Sequence, residues 1–341
     1  MGPKGHQDLR RFFDGRVAIW HKSDERFFLS RFTLFDAQEK ILEGVAQLKR
    51  MLVGFALSLF SALLFFTFPA DTEALSKADV SFSSDAMDRG GVILVTVKAD
   101  EQKAPRIIWL QKDVPLVYSA SDESWSGFIS ADLHQETGLH DCMIRELSSG
   151  FQERYPIRIR LKDYGVRRLK LPKAKVELDA KSLKRIKNEA AVIHSLWPAG
   201  DISPKWKGQF LMPVDGDIVG TFGRKSIINH LHKSPHTGVD LAGKKGDPVV
   251  AINSGRVLLV ADHFFSGKSV YVNHGGGIIS MYFHLDKILV SKGDDIQKGE
   301  VVGLLGATGR VTGPHLHWGV RINGNRINPL TLIELSGALK E

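Results

Sequence analysis

Followed for its alternation of apolar and polar positions, the chain falls into stretches of different character. Met51 to Pro69 is unbroken apolar sequence, MLVGFALSLFSALLFFTFP, with Lys49 and Arg50 before it and Asp71 and Glu73 after it. Its length is close to the ~20 residues that cross a bilayer. The flanking charges place the N-terminus in the cytoplasm and the rest outside. We therefore expect a membrane helix or signal segment over 51–70, acting as a single-span anchor to the inner membrane. A small-x-small signal readable at Thr72 and Ala74 would instead release the chain as a secreted protein. Residues 1–50 interleave Arg10, Arg11, Arg16, Lys22, Arg26 and Arg31 with Phe12, Phe13, Trp20, Phe27 and Phe28. The pattern fits a poorly structured cytoplasmic tail or sequence upstream of a true start at Met51, and alternatively a segment suited to an anionic membrane surface.

From about Val80 the period shortens to two. Short β-branched segments recur at 91–97, 106–110, 114–118, 125–129 and 157–161, divided by turn-rich sequence. They predict a small β-sandwich, immunoglobulin-like, over 78–172. The spacing then changes to a helical one, with Asp179 as cap and Leu183, Ile186, Ala190 and Ile193 on one face, so 178–197 reads as a linker helix ending at Trp197-Pro198. Strand signals return at 249–253, 256–261, 269–274, 278–284, 301–305 and 315–322, with a short helical turn near 329–333. The expected fold is mainly β: a membrane helix, a small sandwich, a helical linker and a C-terminal antiparallel β domain over 208–335.

Composition changes this picture little. In 341 residues, 43% hydrophobic and 25% charged are globular values, and the length suits two folded units and a leader. A net charge of +8 favours an anionic partner: nucleic acid, a membrane or an acidic wall polymer. Export beyond the cytoplasm removes nucleic acid from that set. Cys142 is the only cysteine, which excludes an internal disulfide and a cysteine-rich zinc finger. The basic run Arg167, Arg168, Lys170, Lys173, Lys175 reads as a solvated face or as a binding strip for glycan strands or lipid headgroups.

The candidate chemistry lies in two distant segments, HTGVD at 236–240 and GPHLHWG at 313–319. On a strand, His315 and His317 share a face roughly 6 to 7 Å apart, so one can bind a metal while the other reaches water held by it. A catalytic zinc takes about three protein ligands and keeps one position open. His236, Asp240 and His317 supply that set, and His315 is left over as acid or base. His236 and Asp240 have the i, i+4 spacing of a helical pair. Thr237, Gly238 and Val239 are poor helix formers, so a loop entering a strand is expected. His230, His232 and His263 are candidate groove residues, His274 a turn residue, His194 a surface residue and Arg224 a candidate anchor for a substrate carboxylate. The glycines from Gly303 to Gly313 lack the lysine and the strand-to-helix setting of a phosphate loop.

The order HTGVDLAGKKGDPVVAINSGRV, VNHGGGIISMYFHL, KGEVVGLLGATGRVTGPHLHWGV resembles the lysostaphin/LytM-type zinc endopeptidases of peptidoglycan over most of 208–332. The resemblance implies that His236, Asp240 and His317 hold zinc and that His284 and His315 are catalytic. His315 is then expected as general base and His284 as the group that stabilises the oxyanion, with the two roles open to exchange. It further implies an endopeptidase acting on the stem peptides of peptidoglycan, at the D-alanyl to diaminopimelate bond rather than a glycyl bridge, and the apolar run at 51–70 places it in the periplasm, facing the envelope. An alternative is a non-catalytic wall-binding module that activates another wall hydrolase, and an envelope regulatory protein is a possible partner. Family members of that kind commonly lack a ligand, and all five positions are filled in this sequence.

Overall fold

The segment Val92–Lys98 reads as a nearly continuous apolar string because both of its faces are covered. Ile93, Val95 and Val97 join Ile107, Trp109, Ile144, Ile157 and Ile159 in one core. Val92 and Leu94 face the other way, with Phe128, into a second core shared with Trp206, Phe210 and Phe222. The computed structural model describes residue 45 and residues 75–170, 178–197, 203–229 and 231–339. The apolar run at 51–70 lies outside the described residues, as does the tail before it apart from residue 45. Among the described residues no helix is long and apolar enough to cross a membrane. The chain forms two compact units, Met1–Thr72 and Glu73–Glu341, and every strand among the described residues belongs to the second.

In that unit a four-stranded sheet, ordered Val80–Phe82, Val92–Lys98, Ser124–Ser130, Val117–Ser119, lies against a five-stranded one, ordered Ala86–Asp88, Phe151–Arg160, Gly138–Glu146, Arg106–Trp109, Lys112–Val114. The first core fills the space between them. Cys142 is wholly buried there, and burial pushes its thiol up to about 12, which leaves it an inert packing group.

The C-terminal half is built on an antiparallel sheet ordered Ile218–Gly220, Val239–Ala242, His315–Ile322, Ile278–Leu285, Gly267–Asn273, Gly255–His263, Asp295–Ile296. Leu316, Trp318 and Val320 point into its core with no exposure. His315, His317 and Gly319 therefore occupy the opposite face. Two pairings depart from the antiparallel pattern: Ala86–Asp88 with Phe151–Arg160, and Val166–Leu169 with Lys225–Ile228. The second places Arg167 and Arg168 on an edge strand beside the hairpin that leads into His236.

Of the two α helices among the described residues, α1 spans Ala180–His194, with the Asp179 carboxylate accepting from the Ser182 amide at 2.6 Å as its cap. Its apolar spacing does not produce a buried stripe. No α1 residue is buried and Leu183 is 54% exposed, so polar contacts attach this helix to the rest. Helix α2, Pro329–Ser336, is capped by Asn328 and buries Leu332.

Polar contacts lock the first sandwich onto the Asn325–Ile327 strand. Asp132 takes three hydrogen bonds from Arg326: one from its backbone N–H at 2.9 Å, and two from the guanidinium at 2.5 and 2.9 Å. Asn325 Nδ2 donates to the Ser130 carbonyl at 3.2 Å. Burial alone would raise the Asp132 carboxyl, but the Arg326 bonds hold it below its ordinary value. A carboxyl held down in this way contributes stability at neutral pH that is lost as pH falls through its folded pKa. We expect Asp132→Ala to lower the unfolding free energy by about 2–3 kcal/mol at neutral pH and by less in acid. Chemical denaturation at both pH values checks this, and an equal loss at both would remove the ionic explanation.

Candidate metal centre

Asp240 and His317 stand opposite each other on adjacent antiparallel strands, so their side chains emerge together on the open face of the sheet. His236 arrives from the end of the Leu231–Pro235 strand, where its N–H bonds the Arg224 carbonyl and its carbonyl accepts from the Gly223 amide. Two glycines make room. A Cβ at Gly220, paired with Asp240, would collide with the Asp240 carboxylate. One at Gly238 would strike the Trp318 carbonyl and crowd His317 Nε2.

Three atoms meet in a near-equilateral triangle: His236 Nε2 and His317 Nδ1 are 2.9 Å apart, and they lie 3.0 and 2.9 Å from Asp240 Oδ1. No arrangement of protons satisfies all three edges. If both nitrogens donate to the carboxylate, two N–H groups face each other. A cation satisfies all three lone pairs at once. A tetrahedral zinc with bonds of about 2.0–2.1 Å spaces its donors about 3.3–3.4 Å apart, so these side chains need to open by only a few tenths of an ångström. The donor set, two imidazoles and a carboxylate, also suits that ion. Among the described residues this is the one group of three such side chains close enough to hold a metal.

Backbone carbonyls set the imidazole tautomers. His236 Nδ1 faces the Thr221 carbonyl at 2.9 Å, His284 Nδ1 the Thr308 carbonyl at 2.9 Å and His315 Nδ1 the Gly313 carbonyl at 3.0 Å. A carbonyl only accepts, so each Nδ1 carries a proton, and in the neutral ring each Nε2 keeps its lone pair. His284 sits at a bulge. Between Lys268↔Leu285 and Val270↔Tyr282 its strand advances one residue more than its partner. His284 also adopts the left-handed backbone, φ 65°. The extra residue breaks the alternation that would have sent His284 to the core face. Its ring lies 5.0 Å from that of His315 and 6.2 Å from that of His317. Phe283 stacks on His317, its ring 5.4 Å away and within 8° of parallel.

Burial lowers the His284 pKa to about 4, reinforced by the neighbouring His317 and His315 and opposed by the Thr308 bond, so the ring is neutral at physiological pH. Burial likewise lowers His317. His236 behaves oppositely, because the bond to Asp240 and its charge outweigh burial and raise the pKa, against a smaller opposing effect from Arg167. Burial would raise Asp240, but the bonds and charges of His236 and His317 carry it far below the carboxylate range.

The other candidates lie apart from the triangle. His263 is buried beside Tyr271, its Nδ1 3.5 Å from the Tyr271 hydroxyl. His274 is wholly buried between the Ser254 carbonyl and the Ser280 hydroxyl. Arg224 is exposed and takes part through its carbonyl, and His194 is exposed at the end of α1. His230 is outside the described residues, as are Lys173 and Lys175, and of His232 only the backbone opposite Ile227 is described. Thr308, Thr221 and Gly220 escaped the sequence reading. What they present to the site is a backbone carbonyl or a missing Cβ, for which residue type gives no signal.

A Pseudomonas aeruginosa structure assigned to peptidase family M23 is 31% identical to this chain and superposes with a TM-score of 0.56, covering 72% of this chain and 94% of that one. Residues 234–329 match peptidase family M23 directly. The chain belongs to peptidase family M23. That stretch contains all five family-implied residues, His236, Asp240, His284, His315 and His317. Relatives of this M23 chain include the peptidoglycan DD-endopeptidase ShyA of Vibrio cholerae, 41% identical over 97 residues, covering 28% of this chain and 23% of that protein. The DD-carboxypeptidase/endopeptidase Mpg of Neisseria meningitidis is 39% identical over 97 residues, covering 28% of this chain and 22% of its own length. The matched stretch thus spans less than a quarter of each of these curated relatives.

Two outcomes follow from the geometry. Because His236 must lose its proton to act as ligand and its pKa is raised, metal affinity should climb with pH through and above the ordinary histidine range and then level off. Calorimetry in buffers of different ionisation enthalpy should detect the released proton, and an affinity flat from pH ~5.5 to ~7.5 would refute the assignment. Gly220→Ala should weaken zinc binding by about 10- to 100-fold through displacement of Asp240. Its far-UV circular dichroism should stay native, and unchanged affinity would show that the carboxylate is not a ligand.

Proposed function

We propose that this protein is a zinc-dependent endopeptidase that hydrolyses peptide cross-links of peptidoglycan, at the D-alanyl to diaminopimelate bond. The observation that carries the reading is the triangle of His236, Asp240 and His317 with two further imidazoles, His284 and His315, directed at it. The names of the relatives support the choice of substrate. We place the activity in the cell envelope, with 51–70 as the inner-membrane anchor, on the strength of the apolar run and its flanking charges. An envelope regulatory partner belongs to the same reading.

In this mechanism His236, Asp240 and His317 hold the ion. Bound zinc supplies a Lewis acid that makes water a better nucleophile and polarises the scissile carbonyl. His284, neutral and with its Nε2 lone pair free, is suited to accept the proton of the attacking water. His315 Nε2 lies 3.8 Å from Asp240 Oδ1, close enough to the triangle to serve the developing oxyanion or the leaving amine. This exchanges the roles expected from sequence. The reason is burial, which keeps His284 neutral, so that with its single N–H committed to the Thr308 carbonyl it acts as an acceptor.

Incubated with purified sacculi, the full chain should convert cross-linked muropeptides into monomers, and a chelator should stop it until zinc is restored. His284→Ala and His315→Ala should each lower the rate about 10²–10⁴-fold while zinc remains bound. Mass spectrometry of the digest reads both. A zinc-loaded protein that leaves the degree of cross-linking untouched would overturn the proposal.

A further inference from the structure

Helix α1 lies outside the residues matched to the peptidase family, yet it is tied to the structure behind His284. On α1, Arg185 Nε donates to Glu189 Oε1 at 2.6 Å. The pair grips one turn from both sides. Arg185 Nη2 donates to the Asp262 carbonyl at 2.8 Å, and the Phe264 amide donates to Glu189 Oε2 and Oε1 at 2.9 and 3.2 Å. The Glu189 side chain is only 17% exposed. Since no residue of α1 is buried, these bonds are not an accessory to an apolar seam.

The gripped turn leads directly to the candidate catalytic imidazole. The Ser266 carbonyl accepts from the His284 amide at 2.9 Å, and the Phe265 carbonyl accepts from the Arg310 amide at 2.9 Å. The Lys268 amide donates to Thr308 Oγ1 at 2.9 Å. The Thr308 carbonyl in turn fixes His284 Nδ1. Both the backbone of His284, bent into the left-handed region, and the carbonyl that orients its ring are thus braced by residues 264–268. A left-handed backbone at a non-glycine residue persists only where its surroundings hold it.

We propose that Glu189, with Arg185, is a positioning residue for His284: the linker helix braces the 262–266 turn and through it sets the aim of that imidazole. The proposal rests on the reading of His284 as a working group of the site. Freed from Glu189, the Phe264 amide loses its acceptor and the turn can shift. An imidazole misplaced by an ångström costs rate without costing substrate affinity.

The test uses the full chain with Glu189→Ala, Glu189→Gln and Arg185→Ala, and Lys187→Ala on an exposed position of α1 as control. On sacculi, Glu189→Ala should lower kcat about 10- to 100-fold with KM unchanged. Glu189→Gln, which keeps an acceptor for the Phe264 amide, should recover part of that loss. Independently of activity, hydrogen exchange should show the His284 and Arg310 amides losing about tenfold protection in Glu189→Ala, with the melting temperature within ~4 °C of the native chain. A change confined to the α1 amides, with kcat within twofold, would overturn the proposal. Should the native chain prove inactive on sacculi, the endopeptidase reading falls, and the exchange at His284 still decides the brace. Should Glu189→Ala fail to fold, Glu189→Gln and Arg185→Ala carry the same two measurements.

Discussion

Three lone pairs held about 3 Å apart, with no distribution of protons able to satisfy them, are the constraint on which the rest of this structure depends. The triangle of His236, Asp240 and His317 is left with at least one unsatisfied edge by any placement of protons. It is sustained because each member is secured elsewhere. Asp240 and His317 are fixed by strand register, and His236 by backbone bonds to the Gly223–Arg224 segment and by the Thr221 carbonyl. The opposite pKa displacements of His236 and Asp240 have one origin, since each stabilises the charge of the other at the expense of burial.

Around that triangle, orientation is delegated to the backbone. Carbonyls at 221, 308 and 313 fix three imidazole tautomers, and only the lone pairs turned inward are left for chemistry. This solution is rigid because a carbonyl in a braced loop cannot rotate away as a side chain can. It also gives His284 its character. A buried neutral ring whose single N–H is already committed is left with one lone pair to offer.

The N-terminal sheets are more than an appendage to this arrangement. The strand Val92–Lys98 supplies both the sandwich core and the core behind the candidate metal centre, and Asp132 clamps Arg326 on the Asn325–Ile327 strand. Tyr164, at the end of the sandwich, packs edge-on against Phe222 in the segment that supports His236. Helix α1, too polar to bury a face, attaches through Arg185 and Glu189 to the turn behind His284. Elements far outside the family's own stretch therefore reach the supports of the site from two directions.

Much was legible before any coordinates. The period-two segments marked most strands, Asp179 marked the start of α1, and glycine and β-branched residues between His236 and Asp240 ruled out a helix there. The candidate ligand types were legible as chemistry, two histidines and a carboxylate in the number that a catalytic zinc takes. Tertiary structure decided what depends on long-range register. It set Asp240 opposite His317, inserted the extra residue that turns His284 onto the open face, and exposed Leu183 on a helix whose pattern promised a buried stripe. Residue type encodes which chemistry a side chain can perform. Which face it occupies, and which distant carbonyl holds its proton, is set by the pairing of strands far apart in the chain, and a local pattern carries no record of that.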